Sequence, residues 1–299
     1  MEVFFAWITS LRIKTLPLAI SPIILGNALS YWQNAFNAKI FVLTIITACL
    51  LQILSNLAND YGDNINGADK MDRIGPKRGL QNGLITLRQL YVALIINAIL
   101  CVVCGVWLVS ISCQTQQEFI GFISVGGLAI FSAITYTIGR NAYGYFGLGD
   151  LSVFIFFGLV SVFGSFYLQA RMLPIILIIP ACSSGLLATA VLNINNLRDY
   201  YSDRLANKKT VVVFIGIHNA KYYQIALIIL SYLLFSVFSL TILKSKTSFL
   251  FLLSLPIAIK QILFILHQED NQQIGKLLIP TVKLALLTTC LYSLGIILS

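Results

Sequence analysis

Charge is what this chain has least of. Of its 299 residues only 10% are Asp, Glu, Lys or Arg, whereas 58% are hydrophobic. A water-soluble domain needs a charged exterior, so this balance excludes an ordinary globular protein and points to a chain solvated by lipid. Histidine is nearly missing: His218 and His267 sit near the ends of apolar runs without HExxH-type spacing, which argues against a histidine-based zinc centre. The six cysteines are scattered. Cys101 and Cys104 have CxxC spacing, but no second pair or histidine accompanies them, and packing cysteines are expected. A cleavable signal is not expected either, because residues 1–15 (MEVFFAWITSLRIKT) have neither a basic start nor a small-residue cleavage site; they read as an amphipathic helix at the membrane surface.

What the chain does have is long apolar runs. A bilayer core of ~30 Å takes roughly 20 apolar residues per helix. Such runs lie near residues 16–33, 39–58, 89–111, 119–138, 149–170, 173–195, 221–243, 247–266 and 278–298. The fold class expected is therefore all-α, a polytopic membrane protein of about nine transmembrane helices in one domain. The fifth and sixth runs are separated only by Arg171 and Met172, just before Pro174. Net charge is +9, but the basic residues lie at membrane edges, and nucleic-acid binding is not expected. With the N-terminus inside, fourteen Lys and Arg fall on the cytoplasmic side and four outside, ten of the fourteen lying in two polar loops. Lys260 and Lys283 fall within spans, where most lysines snorkel. The glycines of GFISVGG, residues 121–127, lack the strand and GK[ST] context of a phosphate loop and are expected to serve close helix packing.

Two acidic clusters interrupt this picture. In NLANDYGDNINGADKMDRIGPKRG, residues 56–79, Asn59 and Asp63 share a helical face, while Asp69 joins them only if the chain turns, for which Gly62 and Gly67 offer freedom. In NINNLRDYYSDRLANKKT, residues 193–210, Asn195, Asp199 and Asp203 recur every four residues and drift only about 40° per step around a helix. Each cluster closes an apolar span and leads into basic residues. The loops they open are expected at 59–88 and 196–220. Four crossings separate them, so both open on one side of the membrane. Carboxylates gathered this way repel one another and call for a cation. Their all-oxygen donor set suits Mg²⁺, which shares its shell with substrate phosphates. Arg73, Lys77, Arg78, Lys208 and Lys209 supply phosphate contacts. A diphosphate held through Mg²⁺ follows. A secondary transporter would also carry intramembrane acids and a repeat, but near the midplane rather than at span ends.

At these residues the sequence resembles the UbiA-type superfamily of intramembrane aromatic prenyltransferases, all-helical proteins arranged around a central cavity. The resemblance carries the Mg²⁺-ligand role onto Asn59, Asp63, Asn195, Asp199 and Asp203; Asp69 is expected as a further ligand, Arg73, Arg78 and Lys208 as diphosphate contacts, and Asp63 and Asp199 as essential to turnover. The commonest first motif of the superfamily is NDxxDxxxD. Here Gly67 stands at its last Asp, with Asp69 two residues on. That variant, with DRIGPKRGLQNGLIT after it, is similar to the menaquinone-pathway branch, whose acceptor is 1,4-dihydroxy-2-naphthoate and whose donor is a polyprenyl diphosphate. RIKTLPLAISPIILGNAL and YTIGRNAYGYFGLGDLSVFIFFGLVSVFGSFYLQ extend the likeness, which runs to about residue 216. Asn207 replaces the glycine usual before Lys208. The activity implied is prenyl transfer with loss of CO₂ and diphosphate, in the plasma (inner) membrane with the N-terminus and acidic motifs cytoplasmic. A 4-hydroxybenzoate acceptor is the alternative within the superfamily. Tyr136 and Arg140, spaced as Tyr-x-x-x-basic at the end of the fourth span, are further catalytic candidates, and Asp150 either caps the fifth span or helps seat the aromatic ring.

Overall fold

In the computed structural model residues 1–67 and 79–299 are described. Asp69, Arg73 and Arg78, with Lys77, lie outside them.

Among the described residues nine segments are long and apolar enough to cross a membrane. The chain opens with α1 (Glu2–Leu11), which buries Ala6 and Ser10 and leaves Phe4 and Phe5 exposed, as a helix lying at an interface would. Arg12 adopts a left-handed conformation (φ 50°), turning the chain into α2 (Leu16–Trp32). There follow α3 (Ala38–Ile65), α4 (Leu87–Ser112), α5 (Gln116–Thr135), α6 (Gly149–Ala170), α7 (Ile175–Arg198), the short α8 (Tyr200–Leu205), α9 (Val211–Leu243), α10 (Thr247–His267) and α11 (Asn271–Ile297). Local chemistry fixes several starts. The Asn37 side chain accepts from Lys39 N and Ile40 N at α3, and Thr86 with Gln89 and Thr115 with Glu118 form capping boxes at α4 and α5.

The break between the fifth and sixth spans is real. Arg171 closes α6 in a left-handed conformation (φ 54°) and Pro174 precedes the next turn, so the count of crossings between the acidic clusters stands. The expected loop bounds shift: α3 continues to Ile65 and α9 begins at Val211, with a kink at Gly216 (φ 80°, ψ 160°). Helices α2, α6, α7 and α11 pack on one another at the centre, α9 lies against α7 and α10 against α11, while α3, α4 and α5 form the other half. The main core holds Phe235 against Tyr292, ring centroids 4.1 Å apart, with Phe251 edge-on to Tyr292. Polar pairs also join the later helices: the Tyr232 hydroxyl meets Ser254 Oγ at 2.6 Å and Thr288 Oγ1 at 3.0 Å. Hydroxyl bonds of this kind hold helices together where lipid gives no hydrophobic drive.

Two glycine expectations need correction. Gly67 does turn the chain (φ 72°), but Gly62 does not; it is helical, and a Cβ there would lie 2.6 Å from the Thr137 carbonyl oxygen, so its role is the close approach of α3 to the segment after α5. Nor do Gly121, Gly126 and Gly127 serve close packing, since a Cβ at any of them would meet nothing within 4 Å. Gly126 and Gly127 face a cavity instead. Cys101 is buried and all six cysteines are free, as packing residues are.

Candidate active site

The cavity encloses about 930 Å³. Apolar residues of α2 to α7 make most of its wall, and its polar mouth gathers Asn59, Asp63, Asn195, Asp199, Asp203, Lys208, Arg198 and Arg12. The end of α3 delivers the first motif and the end of α7 with α8 delivers the second. Although α7 stops at Arg198, Asp199 N still donates to the Asn195 carbonyl (3.1 Å) and Asp203 N to the Asp199 carbonyl (2.8 Å). The four-residue spacing is thereby kept across the break, and all three side chains reach the cavity.

Lys208 ties the two motifs together. Its Nζ lies 3.8 Å from Asp63 Oδ1 and 3.9 Å from Asp203 Oδ1, with only 12% of the side chain exposed. Burial works against the charged amine, but Asp63 and Asp203 outweigh it and raise the pKa above the ordinary lysine value, so the group is an ammonium at neutral pH. The turn before it is held in place. Asn207 is left-handed (φ 55°), Lys208 N donates to the Asp203 carbonyl at 2.8 Å, and Lys209 N donates to the Tyr145 carbonyl at 3.0 Å. The position where the resemblance implies glycine thus carries a glycine-like conformation, one that Asn tolerates better than most residues. Tyr145 completes the arrangement: its hydroxyl donates to Asp63 Oδ1 at 3.1 Å and its ring lies 5.3 Å under Lys208 Nζ. Burial and the Asp63 charge push the Tyr145 pKa up, which keeps the phenol a donor.

Arg198 does for the second motif what Lys208 does between the two. Its Nε and Nη2 donate to the two carboxylate oxygens of Asp199 at 2.7 and 2.6 Å, and Nη2 also reaches Asn195 Oδ1 at 2.9 Å. At the other edge, Arg12 Nη2 donates to Asp60 Oδ1 at 2.8 Å, fastening the N-terminal turn to the first motif. Asn59 Oδ1 accepts from Thr137 Oγ1 at 3.3 Å.

The five described ligand candidates, Lys208 and Tyr136 all line the cavity. Tyr136 packs edge-on to Tyr143 at 5.3 Å, and burial, with the charge of Asp150, raises its pKa. Arg140 is not brought there: it is exposed and absent from the cavity wall. Asp150 is buried at the start of α6, outside the wall, with Oδ2 lacking a hydrogen bond among the described residues. Lys260 and Lys283 are exposed on the outer faces of their helices. Arg198, Tyr145 and the Arg12–Asp60 pair are not among the residues the sequence singles out. Only Arg198, adjacent to Asp199, carries a signal there.

The donor set fits Mg²⁺ in one particular way. No group of three or more acidic, His or Cys side chains close enough to share an ion occurs among the described residues, so they form no all-protein cage. Asp63 and Asp203 nevertheless converge on a single cationic atom, Lys208 Nζ. One or two carboxylates completed by phosphate oxygens and water is how Mg²⁺ is usually held.

An all-helical membrane protein with two acidic motifs facing each other over an apolar cavity defines an intramembrane enzyme for a substrate with a charged head and a greasy tail. The chain belongs to the UbiA prenyltransferase family, which it matches over residues 19–287. It is 52% identical to the 1,4-dihydroxy-2-naphthoate octaprenyltransferase of Escherichia coli, over 98% of this chain and 96% of that one. Identity to the Haemophilus influenzae protein of the same name is 41%, over 97% and 95%. Among solved structures the fold is shared with a UbiA homologue from Archaeoglobus fulgidus bound to GPP and Mg²⁺ (TM-score 0.66, 15% identity, 98% of this chain and 100% of that one). It is shared also with the apo form of one from Aeropyrum pernix (TM-score 0.67, 15% identity, 91% and 97%).

Proposed function

We propose that this protein transfers a polyprenyl group from an all-trans polyprenyl diphosphate to 1,4-dihydroxy-2-naphthoate, releasing CO₂ and diphosphate and giving demethylmenaquinol. The near full-length identity of 52% to an enzyme named for that acceptor supports the substrate. The observation that carries the chemistry is the convergence of Asp63 and Asp203 on Lys208 at the mouth of an apolar cavity.

The donor's diphosphate sits at the mouth, where Lys208 contacts it directly and Arg73 and Arg78 add charge from outside the described residues. Pairs drawn from Asp63, Asp199 and Asp203, with Asn59, Asn195 and Asp69, would hold Mg²⁺ beside the diphosphate, and the ion would supply positive charge opposite the leaving group. Arg198 positions the Asp199 carboxylate and the Asn195 amide. The prenyl chain lies along the apolar wall, which excludes the water that would quench an allylic cation. The ring carbon bearing the carboxylate bonds to C1 of the chain. Its bond to the carboxylate then breaks, the released electron pair restores aromaticity, and CO₂ leaves, so the step balances without another acid or base. Tyr136, which lines the cavity, offers a ring face and a hydroxyl to this region.

The protein is integral to the membrane. We place it in the plasma (inner) membrane with the N-terminus and both motifs cytoplasmic, on the excess of Lys and Arg at that end. The Arg12–Asp60 bond joins the N-terminal turn to the end of the molecule that carries the first motif. Purified protein supplied with Mg²⁺, octaprenyl diphosphate and 1,4-dihydroxy-2-naphthoate tests the reading: prenylated naphthoquinol and CO₂ are expected. Product from 4-hydroxybenzoate but none from the naphthoate would overturn it.

A further inference from the structure

Gln52 stands at the middle of α3 (Ala38–Ile65) and lines the cavity. Only 9% of it is exposed, and its Oε1 has no hydrogen bond among the described residues. Which amide atom is left over is fixed by its neighbours. Asn56 Nδ2 donates to the Leu11 carbonyl at 2.9 Å, so Asn56 presents its Oδ1 and can only accept; Gln52 must donate to it through Nε2, at 3.0 Å. The relay from the end of α1 thus leaves Gln52 Oε1 as a bare acceptor on the cavity wall.

Other orphaned buried side-chain atoms, such as those of Asn193, Gln261 and Asn271, lie away from the cavity wall. Gln52 is also in register with the motif. It precedes Asn59 by seven residues, which puts both on one face of α3 about 10 Å apart along the axis. That distance accommodates one bicyclic aromatic ring below a diphosphate at the mouth.

We propose that Gln52 Oε1 accepts the hydrogen bond of a ring hydroxyl of the aromatic acceptor and so positions the ring beneath the diphosphate. This inference rests on the acceptor reading given above. In 1,4-dihydroxy-2-naphthoate the 1-hydroxyl is engaged by the neighbouring carboxylate, as in any salicylate. The 4-hydroxyl is the free donor, and it is the one that meets Gln52. An amide that can only accept there selects acceptors with a hydroxyl at that place and disfavours those with an ether or hydrogen, because either leaves the oxygen unpaired.

The test compares wild type with Gln52→Met, similar in shape but without the acceptor oxygen, in detergent-purified full-length protein with octaprenyl diphosphate and Mg²⁺. KM for 1,4-dihydroxy-2-naphthoate rises about tenfold in the variant. KM for the donor, and Ki for 1-hydroxy-2-naphthoate, which lacks the 4-hydroxyl, change less than twofold. An unchanged naphthoate KM, a parallel rise in the Ki of the 1-hydroxy compound, or a rise in donor KM would overturn the assignment. Should the variant not fold, wild type alone decides it: 1-hydroxy-2-naphthoate binds about tenfold more weakly than the dihydroxy acid, and equal affinity contradicts the proposal. A wild type active only on 4-hydroxybenzoate overturns the acceptor reading and this inference together, whereas normal naphthoate turnover with an unaffected variant overturns only the role of Gln52.

Discussion

The Nζ of Lys208 lies 3.8 Å from Asp63 Oδ1, across 145 positions of sequence and between two motifs that never meet in the chain. Buried carboxylates on both sides need that charge, and so does a diphosphate arriving at the mouth. Lys208→Met is therefore expected to lower kcat/KM by roughly 100-fold or more, a loss of the size seen when one preorganised charge partner is removed. Product formation in membranes, normalised to protein amount, measures it; activity within a few fold of wild type would contradict the role.

Arg198 grips both oxygens of Asp199 in a fork geometry, with side-chain exposures of 10% and 6% for the pair. A lysine cannot reproduce a two-point contact. Arg198→Ala removes this charged hydrogen-bond partner from Asp199 and should cost about 1.5–3 kcal/mol of stability. Arg198→Lys should fall between it and wild type in both melting temperature and activity. Thermal unfolding in detergent checks the first, and turnover the second.

Asn207 occupies φ 55° immediately before Lys208. Glycine there should be tolerated with activity unchanged. Asn207→Val, whose branched side chain resists a left-handed backbone, should cost about 1–2 kcal/mol and move Lys208 off the motifs. Equal activity in the valine and glycine variants would show that the turn does not position the lysine.

Gly126 and Gly105 both line the cavity, and a Cβ at either would meet nothing within 4 Å. Gly126→Leu should fill space that the donor chain uses. Activity with octaprenyl diphosphate should fall about tenfold relative to that with geranyl diphosphate, read as the ratio of the two kcat/KM values. An unchanged ratio would move the prenyl chain elsewhere.

The spans of this protein are legible in its amino-acid sequence because bilayer thickness sets helix length, and even the narrow break at Arg171 is marked by Pro174. The four-residue spacing of Asn195, Asp199 and Asp203 implies a shared face, and counting crossings puts both motifs on one side. What stays hidden depends on which surfaces meet. Tyr145 has no motif around it and gains its role from the loop that lies under Lys208. Gly62 and Gly126 look alike in sequence, yet one admits a backbone and the other leaves a void. Arg140 shares helical spacing with Tyr136, but the helix ends at Thr135 and the arginine turns outward. Gln52 belongs to a polar stripe with Asn56, Asn59 and Asp63 along α3, a signal the sequence does contain.

The central claim is that the two motifs build one Mg²⁺-dependent diphosphate site. Calorimetric titration of inorganic diphosphate into the full-length protein, with and without Mg²⁺, tests it most directly when wild type is compared with Asp63→Asn and Asp199→Asn. Binding is expected to require Mg²⁺ and to be lost in each single variant. Binding that is equal without Mg²⁺, or that survives in either variant, would contradict it.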